Sequence, residues 1–352
     1  MATTQNRYSP SWVDRLTDWI EGLPIPVWAF YAILYAVAAL GLNGASWFNE
    51  ARPWGEFSLL QLYNAIWLPL ALIVIHNTDS VAHKALDRFA PLVKEKSKQL
   101  DNLRYEMTTM PRRTVLWISV IAIIFLTAGA IQDPTLIVYE FGEGPIHPAA
   151  WFLSALFGIS SYSMAPVMIY HAIRQLNRVT QAFALIENPS IFHQQPLYAF
   201  SGLAMRTALF LVGQVYITYL GDRLYSDVVT GDDLINGALT IVMIPLALVM
   251  VLAPLWGIHQ RLSLAKQDAL EENSFQIERA QRKLYAAIDQ DKYTNIGGLD
   301  SALDSINKVR DQLASVPTWP WAAGTFRNFL SAVFLPMLLW ALQLALGRFL
   351  GS

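Results

Sequence analysis

The chain has 352 residues, 54% of them apolar and 15% charged, with a net charge of −2 and no cysteine. The missing cysteine excludes disulfides, thiolate metal sites and a cysteine nucleophile. Basic residues flank apolar stretches instead of gathering on one polar face, so the pattern carries no nucleic-acid footprint and none is expected as a partner.

Residues 1–25 form a cytoplasmic segment without the basic and apolar regions of a cleavable signal. Within it, Trp12 to Trp19, with Val13, Leu16 and Ile20, predicts a short amphipathic helix lying on the membrane surface. A helix needs about 20 mostly apolar residues to cross a bilayer. Seven such spans are predicted, over 26–47, 59–76, 114–131, 149–170, 198–220, 234–257 and 326–350. The fold class is therefore all-α, a seven-helix polytopic membrane protein with the lipid bilayer as its first partner.

The connections alternate in charge. Segments 78–113, 171–197 and 261–322 hold most of the lysine and arginine. The opposite loops hold Arg52 and Arg223, against Glu50, Glu56, Asp133, Glu140, Glu143, Asp222 and Asp227. Cytoplasmic loops carry the basic excess, which puts the N-terminus inside and the C-terminus outside. The membrane so crossed is read as a plasma membrane, of the bacterial inner type.

Residues 26–260 read as a six-helix membrane region with helical inner loops. Val81, Ala85, Leu86 and Phe89 mark one face of a helix after the second span, broken at Pro91 and stopped by Pro111. The fourth span continues inward as a helix before Asn188, Pro189 and Pro196 interrupt it. Residues 261–322 predict a helical hairpin of coiled-coil type, turning at Asn295, Ile296, Gly297 and Gly298. Leu303 and Val309 are expected to be buried there, with Asp304 and Arg310 in water. Trp319 and Trp321, between Pro317 and Pro320, predict an interfacial anchor. Residues 323–352 are the seventh span.

A loose repeat links the second, fourth and sixth spans: Pro69 and His76, Pro166 and His171, Pro254 and His259. Each histidine is expected near the inner headgroup boundary, either as an ordinary interfacial residue or as part of a shared site. Arg206 lies inside the fifth span, where it either pairs within the bundle or snorkels to the interface. Ser160, Ser161 and Ser163 sit in the middle of the fourth span and mark close helix packing or a polar path. No acidic residue falls within a predicted span. No catalytic, phosphate-binding or metal-ligand motif is visible, so neither a cofactor nor a metal is expected.

In span count, orientation and inner helical extensions the chain resembles the insect odorant and gustatory receptor channels. The likeness is one of topology, not of sequence motif. It implies a cytoplasmic anchor and a pore-lining last span. The sequence thus predicts a non-enzymatic membrane protein, an oligomerising sensor, scaffold or channel-like subunit. A homo-oligomer and a cytosolic protein are the expected partners. The alternatives are a ligand-gated ion channel of chemoreceptor-like topology and a transporter of small molecules built from hairpin repeats.

Overall fold

The computed structural model describes residues 7–138, 140, 144–186, 192, 196–225, 233–290, 296–321 and 324–334, without the side chains of 94–97, 136, 215, 218–225 and 233–244. It is 83% helix, with no strand among the described residues. Among the described residues, five helices are long and apolar enough to cross a membrane: Val27–Phe48, Leu59–Val93, Arg112–Gln132, Pro148–Ala184 and Pro245–Asp289. They match the first, second, third, fourth and sixth predicted spans. Most of the seventh, beyond residue 334, lies outside the described residues.

Helix α1 (Trp12–Glu21) starts at a reciprocal cap. Ser11 Oγ accepts from the Asp14 amide, and Asp14 accepts from the Ser11 amide. Of its apolar residues, Trp12 and Trp19 are exposed, while others face the protein. Val13 and Ile20 are fully buried against the bundle, in a cluster with Tyr31, Leu72, Ile75, Val115 and Val167.

Helix α2 (Val27–Phe48) leads to a short α3 (Leu59–Asn64), capped by Ser58, and then to α4 (Trp67–Phe89). The break between α3 and α4 falls just before Pro69, which lacks an N–H and crowds the preceding turn. After Phe89 a 3-10 stretch, Ala90–Lys96, contains Pro91 and a non-helical Val93. Helix α5 (Ser97–Thr108) turns back along α4, and Pro111 caps α6 (Arg112–Gln132). Helix α7 (Pro148–Ser154) passes through a π turn, Ala155–Ile159, into α8 (Ser160–Ala184). Helix α9 (Tyr198–Tyr225) covers the fifth predicted span, and α10 (Asp233–Asp289) is one helix of 57 residues.

Helix α11 (Ile296–Ser315) runs back antiparallel to α10. Lys266 Nζ donates to the Ala314 and Val316 carbonyls, and Asn273 Nδ2 to that of Ile306. Gly297 and Gly298 stand inside α11, not in a turn; the described part of the reversal ends at Gln290 and resumes at Ile296.

Helices α4, α8 and α10 all continue past their apolar stretches at the end that carries the basic connections, here the basic end. There they share one core with α5, α9 and α11, including Leu86, Phe89, Met107, Phe183, Leu255 and Leu313. The rings of Phe89, Phe183 and Phe200 meet edge to face at 5.0 to 6.2 Å. Where this core is surrounded by water, each such ring contributes about 2–3 kcal/mol by burial. The shared core does not reach the far half of the hairpin. Leu303 is only half-buried and Val309 is 44% exposed, against the expectation of burial, while Asp304 and Arg310 are exposed as expected.

Candidate functional site

The densest buried polar group joins α4, α5 and α8 at the basic end. His171 Nε2 lies 2.9 Å from Asp79 Oδ1. One turn on, Gln175 Nε2 donates to the same carboxylate oxygen and to the Met107 carbonyl, both at 3.2 Å. His171 and Gln175 are 2% and 0% exposed. Their i, i+4 spacing sets both on the face of α8 that meets α4. Asp79 lies three residues beyond the second predicted span, 59–76, in the same helical run, Leu59–Val93. It sits one turn beyond His76, on the same side of α4.

The N-terminal strap closes over this junction. Asp14 Oδ2 also accepts from the Met110 amide at 3.0 Å. Burial pushes the Asp14 carboxyl above its ordinary range, and hydrogen bonds from Ser11 and Met110 partly offset that. Tyr8 donates to the Thr109 carbonyl and accepts from Arg174 of α8. Burial pushes the Tyr8 phenol up to about 12, against the pull of Arg174. The Tyr105 hydroxyl donates to the Tyr8 carbonyl, and the Arg112 amide to that of Ser9. Residues 8–14 are therefore tied to the turn between α5 and α6 by side chain and backbone alike.

The three histidines of the repeat do not meet. His76 is held between Glu21, 3.1 Å from its Nε2, and the Tyr31 hydroxyl, 3.3 Å from its Nδ1. His171 takes Asp79. His259 stacks on Trp319 at 4.0 Å between centroids, which continues through Trp321 at 4.6 Å and Phe326 at 4.5 Å. The two tryptophans expected as an interfacial anchor thus form a ring ladder between α10 and the helical residues 325–334. Among the described residues no three histidine, aspartate or glutamate side chains are placed to hold a metal ion.

Arg206 is exposed on α9 and makes no hydrogen bond or ion pair among the described residues. The serines turn inward on their own helix. Ser161 Oγ donates to the Phe157 carbonyl at 2.6 Å and Ser163 Oγ to that of Ser160 at 3.0 Å. Ser160 bonds to the Leu156 carbonyl. Two of the three acceptors, Leu156 and Phe157, lie in the π turn, so the hydroxyls serve a helix whose regular ladder is displaced there. Across the interface, Phe157 packs so closely on α2 that a Cβ at Gly41 would lie 2.0 Å from its ring.

A second polar group, missed in the sequence, lies at the opposite end. Glu140 is 8% exposed. Its carboxylate accepts from Ser46 Oγ at 2.7 Å, Ser58 Oγ at 2.6 Å and Arg52 Nε at 3.0 Å. Gln61 Nε2 supports Ser46, and Asn43 Oδ1 accepts from the Ser58 amide. The signal available beforehand was Arg52, one of only two basic residues in the acidic loops. No family model matches the chain, and no curated protein and no solved structure matches it.

Proposed function

We propose that the chain is a non-enzymatic, seven-span protein of the plasma membrane that works as a homo-oligomer, a sensor, scaffold or channel-like subunit. The basic end faces the cytoplasm in this reading, following the charge bias of the loops. The observation that carries the proposal is the far half of the hairpin. Phe275 is 56% exposed, Tyr285 64% and Ile288 42% on α10, and Val309 44% on α11. In water such side chains favour a partner surface. Phe275, Tyr285 and Ile288 stand on a helix continuous with a predicted membrane span, so contact between copies below the bilayer is mechanically joined to the bundle. A cytosolic protein is the other occupant that fits.

Native mass spectrometry of the purified protein in mild detergent tests this. One defined oligomer supports the reading, and a monomer at every concentration overturns it. Topology is tested by reporter fusions after Ser352, which the reading places outside.

One observation favours a second reading, a small-molecule transporter. The buried Asp79–His171 pair puts two ionisable groups just past the ends of the second and fourth predicted spans, a placement that suits an ion-coupled pathway. Uptake into proteoliposomes driven by a pH gradient, and lost in Asp79→Asn, would decide for it.

A further inference from the structure

A groove of about 540 Å³ runs between α2 and α4, within the size range of ligand sites. The α4 wall presents Pro69, Leu70, Ile73, His76, Asn77 and Ser80, which share one face at helical spacing. The wall is apolar up to Ile73 and polar from His76 onward. From Ile66 to Ser80 it extends roughly 21 Å, against about 15 Å for the hydrocarbon of one leaflet. The surplus falls at the polar end, beside Trp28, which is 74% exposed and of the type that marks the headgroup level. The groove therefore has the length and polarity of one lipid chain with its headgroup.

The charge at the polar end selects the headgroup. His76 Nδ1 lies 3.3 Å from the Tyr31 hydroxyl, and its Nε2 lies 3.1 Å from Glu21 Oε1. The Glu21 side chain is 63% exposed, which leaves a carboxylate open to solvent beside His76. Asn77 and Ser80 line the groove at the same end as His76 and supply neutral donors there. The surrounding loops are rich in lysine and arginine and would favour anionic lipids, so this mouth is a local exception.

We infer that the groove between α2 and α4 is a binding site for one phospholipid with a primary-amine headgroup. One acyl chain lies along Ile73 and Ala32. The ammonium donates to Glu21, and the phosphate accepts from Asn77 and Ser80. A quaternary ammonium cannot donate to Glu21, and an anionic glycerol headgroup is repelled by it. The inference rests on the membrane reading of the chain, and the test separates the two.

The full-length protein is delipidated in detergent and titrated with phosphatidylethanolamine, phosphatidylcholine and phosphatidylglycerol, with bound lipid read by native mass spectrometry. One phosphatidylethanolamine is expected to bind roughly two- to five-fold tighter than either competitor, the range of a half-exposed ion pair. Glu21→Gln should remove that preference while lipid still binds. Ala32→Trp, at an exposed position in the groove, should remove the site for all three. Equal binding of the three lipids, a preference for phosphatidylglycerol, or a preference that survives both variants overturns the inference. A protein that stays soluble without detergent would instead refute the membrane reading.

Discussion

Replacing His171 by leucine tests whether the junction of α4 and α8 depends on its buried ion pair. The substitution removes the Nε2 that faces Asp79 at 2.9 Å and keeps an apolar side chain of similar size. Removing one partner of a buried pair costs about 3–5 kcal/mol when the other charge is left uncompensated. Asp79 retains Gln175 Nε2 at 3.2 Å, and its side chain is 17% exposed, so water reaches it. The expected loss therefore falls to or somewhat below the floor of that range, about 2–3 kcal/mol. On the scale of soluble domains this is a fall of roughly 4–12 °C in the unfolding midpoint. Thermal unfolding in detergent, followed by tryptophan fluorescence, measures it. The variant combining Asp79→Asn with His171→Leu removes both charges and should recover at least half of the loss, because no buried charge remains unpaired. A single variant within about 0.5 kcal/mol of the parent, or strictly additive changes, would refute the reasoning.

Asp14→Ala should cost about 1–3 kcal/mol, since it strands the Ser11 and Met110 amides. Asp14→Asn should cost clearly less by the same unfolding assay, because an amide oxygen can accept both. Gly41→Ala should lower stability by roughly 1–3 kcal/mol through its clash with Phe157; adding Phe157→Leu should relieve part of it, and an unaffected Gly41→Ala midpoint would mean the ring moves freely. Arg206→Leu should change the midpoint by no more than about 0.5 kcal/mol, since the side chain is exposed and unpaired; a large fall would reveal a partner. The Tyr8 phenol is raised from 10.0 to about 12 in the folded protein. The unfolded chain loses that proton first as pH rises, so stability present below pH 10 should decline between pH 10 and about 12. Tyr8→Phe should flatten that part of a stability–pH profile; an unchanged slope would contradict the assignment.

The apolar stretches, the break at Pro91, the cap at Pro111 and the antiparallel pairing of α10 with α11 follow from local pattern, and local pattern is what a sequence displays. The polar sites depend on contacts across long separations. Asp79 and His171 are 92 positions apart, and Glu140 meets Ser46 and Ser58 across 94 and 82. Nothing within a helical turn of Glu140 distinguishes it from the exposed acids of the same loops. Helix α1 displays its amphipathic face plainly, yet periodicity is silent on whether protein or lipid covers that face. The far hairpin errs for a related reason. Leu303 and Val309 show the spacing of a buried stripe, but the described residues do not supply the burial they call for. Gly297 and Gly298 read as a turn because glycine is costly inside a helix, yet they open α11, where both stand in open space.

The absence of cysteine makes a direct test of self-association simple, since a single introduced thiol is unique in the chain. Phe275→Cys and Val309→Cys each place that thiol on the exposed far half of the hairpin, and Trp54→Cys places it at the opposite end, also exposed. Mild oxidation of membranes holding each variant, followed by non-reducing electrophoresis, reads proximity between copies. The account predicts covalent dimers for at least one hairpin position and none for position 54. Only monomers from both hairpin variants, under conditions that cross-link a known oligomer, would contradict the claim that this chain works as an assembly joined at its basic end.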